Sequence, residues 1–194
     1  MVRLLVCLAV LATPLRLLAA ADPVPAPSIE SLDKAIDAYM DVRKDAARGV
    51  PALSKSASPE EIAARQASLA ERIRGARREA QPGDVLVTEA RPLLRQRLDQ
   101  VLAQNPASKQ KEIATGNPAH EGVPVRVAVN AAYPKEAPRS SVPTAVLAVL
   151  PRLPKELEYR FVGDHLLLLD AEADLVVDFM TKAGDDPTKG GATR

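Results

Sequence analysis

The chain has 194 residues, with 26 Lys and Arg against 25 Asp and Glu, and is poor in large rings: three Tyr, two Phe and no Trp. Near-neutral charge provides no bulk field to gather nucleic acid or an anionic membrane, and scarce aromatics leave little surface for stacking sugars or bases. The length suits one domain of ordinary size with one core.

Residues 1–21, MVRLLVCLAVLATPLRLLAAA, combine a short basic start, an apolar middle and a small-residue triplet before Asp22. That is the layout of a secretory signal peptide, with cleavage expected after Ala21. Pro14 and Arg16 interrupt a stretch that is already barely the ~20 residues of a membrane span, so no stable span is expected after cleavage. Cys7 is the one cysteine and would leave with the signal. Disulfides, cysteine-based zinc sites and cysteine nucleophiles are then excluded in the mature form, and the expected home is periplasmic or secreted.

Residues 22–27, DPVPAP, read as a Pro-rich spacer. A domain is expected over 28–180. Its first helix starts at Ser28, with Ile29, Leu32, Ile36 and Tyr39 or Met40 as the buried stripe, Arg43 off it, and Gly49 and Pro51 as the stop. Ser58-Pro59-Glu60-Glu61 is a capping box with proline at the first helical position. The second helix should run from Pro59 to about Ala80, burying Ile62, Leu69 and Ile73. Residues 85–87 fit either a short extended piece or the first turn of a helix, and a helix disturbed near Pro92 is favoured. Leu94, Leu98, Val101 and Leu102 predict a third amphipathic helix, and a weak helical turn follows at Ala107–Ala114.

The period then changes to two. Val123, Val125, Val127 and Val129 alternate with Pro124, Arg126, Ala128 and Asn130, the pattern of an edge strand with one buried face. Residues 141–150 fit a short helix capped by Ser141 better than a strand. Leu157–Met180 reads as a three-strand meander: Gly163-Asp164 is a hairpin turn that sets Phe161 opposite Leu166 and Tyr159 opposite Leu168. Residues 171–173 form the next turn, and Leu175, Val177 and Phe179 share a face of the last strand. Residues 181–194 are a polar, glycine-rich tail expected to be disordered. The fold class is therefore α+β, with three N-terminal amphipathic helices on a small, mostly antiparallel sheet of about four strands.

Candidate chemistry is sparse. Asp164, His165, Asp170, Asp174 and Asp178 lie close in the meander and could in principle bind a divalent metal or serve as acid and base. Turn chemistry accounts for Asp164, Asp170 and Asp174, and alternation puts Asp178 in solvent. His120 beside Glu121 is a second candidate metal ligand or base. No nucleophile elbow, P-loop, H-E-x-x-H or Rossmann fingerprint occurs, and no cofactor is expected. Arg74, Arg77 and Arg78 head the densest basic region and offer an anion- or partner-binding face. Acidic neighbours make a solvated helix surface the simpler account.

QPGDVLVTEARPLLR and PRLPKELEYRFVGDHLLLLDAEADLVVDF together resemble a recurring type of uncharacterised exported bacterial protein with a helical front and a strand-rich end. That resemblance spans most of residues 60–180. It implies a location outside the cytoplasm and supplies no catalytic residues. Over the last quarter, Y-R-F-V-G-D, L-L-L and L-V-V-D-F are similar to the C-terminal β-unit of small periplasmic proteins linked to nickel and cobalt homeostasis; this chain lacks a His-rich front, so the likeness implies a strand layout and not an activity. The expected function is a non-enzymatic interaction protein with an unknown protein partner in the cell envelope, acting through the sheet edge or the arginine-bearing helices. The alternative is a small hydrolase or metal-binding protein using His120, His165 and nearby carboxylates.

Overall fold

A computed structural model describes residues 27–104 and 106–181. The expected signal peptide, most of the spacer and nearly all of the tail lie outside those residues. Helix α1 spans Pro27–Arg48, α2 Pro59–Ala76, α3 Arg91–Ala103, α4 Pro106–Ala114 and α5 Thr144–Leu147; the strands are β1 Leu157–Val162, β2 His165–Asp170 and β3 Leu175–Thr181. The strands form one antiparallel sheet in the order β1-β2-β3. The architecture is the α+β one that the sequence predicts, with α4 where the weak helical turn and α5 where the short helix are expected. Pro27 and Thr181, assigned above to spacer and tail, belong to the first helix and the last strand.

Helix α1 buries Leu32, Ile36 and Tyr39 at helical spacing. Arg43, four residues on, continues the same stripe and is buried too, whereas the sequence reading places it off the stripe. Ser58 caps α2 as expected: its hydroxyl accepts from the Glu61 amide, and the Glu61 carboxylate accepts from the Ser58 amide. Burial along α2 begins only at Leu69, Ala70 and Ile73, and Ile62 is 40% exposed. The first turns of α2 run beyond the core, so a residue with the right phase has nothing to pack on. The helix also stops at Ala76, short of the predicted Ala80, because Arg77 leaves helical geometry with φ −117° and ψ 38°.

Between α2 and α3 the chain makes a run of turns and no helix. Val85 and Leu86 are buried there nonetheless. Pro92 lies in the first turn of α3, where its missing N–H costs nothing; it starts a helix and does not disturb one. Likewise α5 has Pro143 at its N-cap and no side-chain cap, so the predicted role of Ser141 is not realised.

In β1 and β2 the pairing is the predicted one, with Phe161 opposite Leu166 and Tyr159 opposite Leu168. The turn between them uses Gly163 at φ 57°. In β3 the register slips: Leu169 pairs with Val176 and Leu168 with Asp178, leaving Val177 as the extra residue of a β-bulge. Leu175, Val177 and Met180 join the core under the helices, whereas Val176 and Phe179 lie on the opposite face. Phe179 is therefore not on the face of Leu175 and Val177, as strict alternation would have it.

The largest departure concerns residues 123–130, which form no strand. Pro124 cannot donate to a ladder. Pairing to β3 instead occurs just downstream, where the Asn130 amide donates to the Val176 carbonyl (2.8 Å), Val176 donates to Ala131 (2.9 Å) and Tyr133 donates to Asp174 (2.7 Å). Asn130, at φ 62°, is the turn that separates residues 123–129 from this paired segment. The alternation is still used: Val123, Val125 and Val127 pack with Tyr133, Ala137, Val162, Leu167, Leu169 and Val176 in a second apolar cluster. The sheet is thus buried on both faces, by helices on one and by the irregular 123–137 segment on the other.

Candidate functional site

Three of the meander's aspartates, Asp170, Asp174 and Asp178, are buried in the molecule. Asp170, at the end of β2, is fully buried. It accepts from the Tyr39 hydroxyl (2.8 Å), Arg43 Nε (2.7 Å) and the amides of Glu172 (3.2 Å) and Ala173 (2.9 Å). The other arm of Arg43 reaches Glu172 at 2.6 Å, and Arg65 of α2 reaches the second Glu172 oxygen at 2.9 Å. One network therefore joins α1, α2 and the β2–β3 turn. Partial burial of Glu172 opposes its ionisation, but the hydrogen bonds from Arg43 and Arg65 outweigh this and hold its pKa below the ordinary glutamate value. Burial, reinforced by the charge of Asp170, raises the Tyr39 phenol far above its usual range.

Asp178 is fully buried as well, contrary to the solvent position that alternation predicts. The bulge at Val177 reverses the alternation and turns the carboxylate toward the α2–α3 connection. There it accepts from the amides of Gly83 (3.1 Å), Val85 (2.9 Å) and Leu86 (2.8 Å), as well as from its neighbour Phe179 (2.7 Å). Asp174, at φ 47°, is buried and paired with Arg139, which also holds Glu158 at 3.0 Å and lies over the Tyr133 ring. These carboxylates are occupied in holding layers together.

Asp164 is exposed on its turn. His165 lies on the outer sheet face, its ring edge-on to Phe179 with centroids 5.8 Å apart, on the side away from Leu166 and Leu168. His120 is exposed in a turn. Its loop is docked on the β1–β2 turn, because the buried Asn117 side chain accepts from the Gly163 amide (2.8 Å) and donates to its carbonyl (3.3 Å). Glu121 is turned back to accept from the Gly116 amide. Among the described residues no group of three or more His, Cys, Asp or Glu side chains is placed to hold a metal ion.

The three arginines at the end of α2 separate in role. Arg74 Nε donates to the Asn130 carbonyl (3.0 Å). Arg77 donates to the Val177 carbonyl (3.1 Å) and to Asn130 Oδ1 (3.4 Å), and its guanidinium lies 5.0 Å from the Tyr39 ring centre; burial lowers its pKa. Both serve the fold. Arg78 is exposed, on the rim of a groove of about 500 Å³ between α1 and the end of α2, lined by Ala35, Ala38, Val42, Ala76 and Arg77.

Among the described residues both sheet edges carry partners. The β3 edge carries the 130–133 segment and the Arg77 and Arg91 guanidinium donors to Val177 and Phe179. On β1, Ser140 Oγ both accepts from the Phe161 amide (2.9 Å) and donates to its carbonyl (2.8 Å), standing in for a neighbouring strand. Sequence reasoning missed Arg43, Asn117, Ser140 and Arg139. Only Arg43 carried a signal, its place on the α1 stripe. In comparisons with family models, curated proteins and solved structures, the chain matches none.

Proposed function

We propose that the protein acts outside the cytoplasm as a non-catalytic interaction protein, and that the groove between α1 and the end of α2 receives its partner in the cell envelope. The reading is carried by the engagement of the chemistry-bearing side chains: Asp170, Asp174, Asp178 and Glu172 are each held by arginines or backbone amides within the fold. The groove is lined by small side chains, Ala35, Ala38, Ala76 and Ala80, together with the exposed Arg78. The partners already seated on the β3 edge and at Phe161 of β1 favour a contact on the helical layer. No helix among the described residues is long and apolar enough to cross a membrane.

The test is cross-linking in the native envelope with wild type, Ala38→Arg and Arg78→Glu. A specific adduct with wild type that is lost in both variants supports the reading. An adduct unchanged in both, or turnover of a substrate by the purified protein, refutes it. A metal-binding or hydrolytic role for His120 and His165 draws on one observation, the docking of the His120 loop on the turn that precedes His165. Calorimetry with nickel, cobalt and zinc on wild type and on His120→Ala/His165→Ala decides the metal-binding role: equal heats exclude metal binding by these histidines.

A further inference from the structure

The α2–α3 connection contains apolar residues that are buried without helix or strand to hold them, Val85 and Leu86. Its backbone is shaped locally: the Gln81 amide donates to the Asp84 carboxylate (2.8 Å), and Gly83 adopts φ 102°, a conformation open to glycine. As a result the amides of Gly83, Val85 and Leu86 converge on one point. Converging amides of this kind form an anion-binding concavity, or nest. Arg91 lines the same site, with Nη2 4.0 Å from Asp178, Nε donating to the Leu86 carbonyl (2.8 Å) and Nη2 donating to the Phe179 carbonyl (3.3 Å). The anion in the nest is the Asp178 carboxylate, delivered by the β3 bulge and sealed from solvent.

We infer that residues 81–86 are a carboxylate-binding nest with a built-in ligand, and that the order of the α2–α3 connection depends on the nest being filled by a carboxylate, whichever molecule supplies it. Backbone amides see a small anion and recognise the charge and the paired oxygens, not the chain that carries them. Removing the Asp178 side chain beyond Cβ leaves a space the size of formate, lined by those amides and Arg91.

Amide hydrogen exchange on Asp178→Ala and Asp178→Asn tests this. Loss of a charge-accepting partner should lower protection of the Gly83, Val85 and Leu86 amides about 10- to 100-fold, while β1–β2 amides change less. Formate should restore those three amides in Asp178→Ala along a saturating curve, and chloride at equal ionic strength should not. In Asp178→Asn the carboxamide fills the space, and formate should restore nothing. If Asp178→Ala is unfolded, saturable refolding by formate but not chloride is the expected result. Retained protection in both variants, equal effects of formate and chloride, or no effect of formate on Asp178→Ala overturns the inference.

Discussion

Replacing Arg43 with Met keeps most of the side-chain volume and removes the guanidinium that joins α1 to the β2–β3 turn. Asp170, with no exposed surface, then loses its one charged donor, at 2.7 Å, while keeping the Tyr39 hydroxyl and two amides. Removing one partner of a buried pair costs about 3–5 kcal/mol, because the surviving charge is stranded. The three remaining donors place this case at the low end, about 3 kcal/mol. The contact to Glu172 adds little, since that carboxylate is 36% exposed. For a domain of this size a loss of about 3 kcal/mol corresponds to a fall of about 6–12 °C in Tm. Urea and thermal unfolding of Arg43→Met, Asp170→Asn and the double variant measure it. The double variant should be less destabilised than the sum by at least about 1 kcal/mol, since both changes disrupt one contact. A cost below about 1 kcal/mol for Arg43→Met, with additive behaviour, would refute the view that this pair clamps the helices to the sheet.

Ser140→Ala removes the hydroxyl that satisfies both polar groups of Phe161, and should cost about 1–3 kcal/mol in urea unfolding because a buried amide is left without its acceptor. Ser58→Ala breaks the α2 capping box and should cost about 1 kcal/mol in the same assay. All three tyrosines are shifted upward: Tyr39 by burial and Asp170, Tyr159 by burial and Asp33, and Tyr133 by burial. A folded-state pKa raised above the unfolded value gives stability that is fully present below the free phenol's pKa of about 10 and declines as pH rises past it. Phenolate absorbance should therefore appear together with unfolding at alkaline pH; phenolate formation in a chain that stays folded at pH 10–11 would contradict this.

The meander was legible because its signals are local: Gly163-Asp164 fixes the turn, and alternation fixes which side of β1 and β2 is apolar. The capping box at Ser58 was legible for the same reason. Asp178 was misread because a bulge is invisible to alternation: inserting Val177 reverses every later side chain. Residues 123–130 have a strand's pattern and a strand's inward valines, yet Pro124 and the turn at Asn130 leave them extended without a ladder. Pattern reports burial on one side; it does not report hydrogen-bond partners.

Composition and periodicity alone determined the α+β class, the principal helices and the pairing of β1 with β2, because each depends on residues near one another in the chain. Tertiary structure decided where the charges go. Arg43 meets Asp170, and the Gly83–Leu86 amides meet Asp178, across separations of 127 and up to 95 residues. Such partners are brought together only when the helical layer closes on the sheet. Burial then makes an ionised side chain untenable without its counterpart.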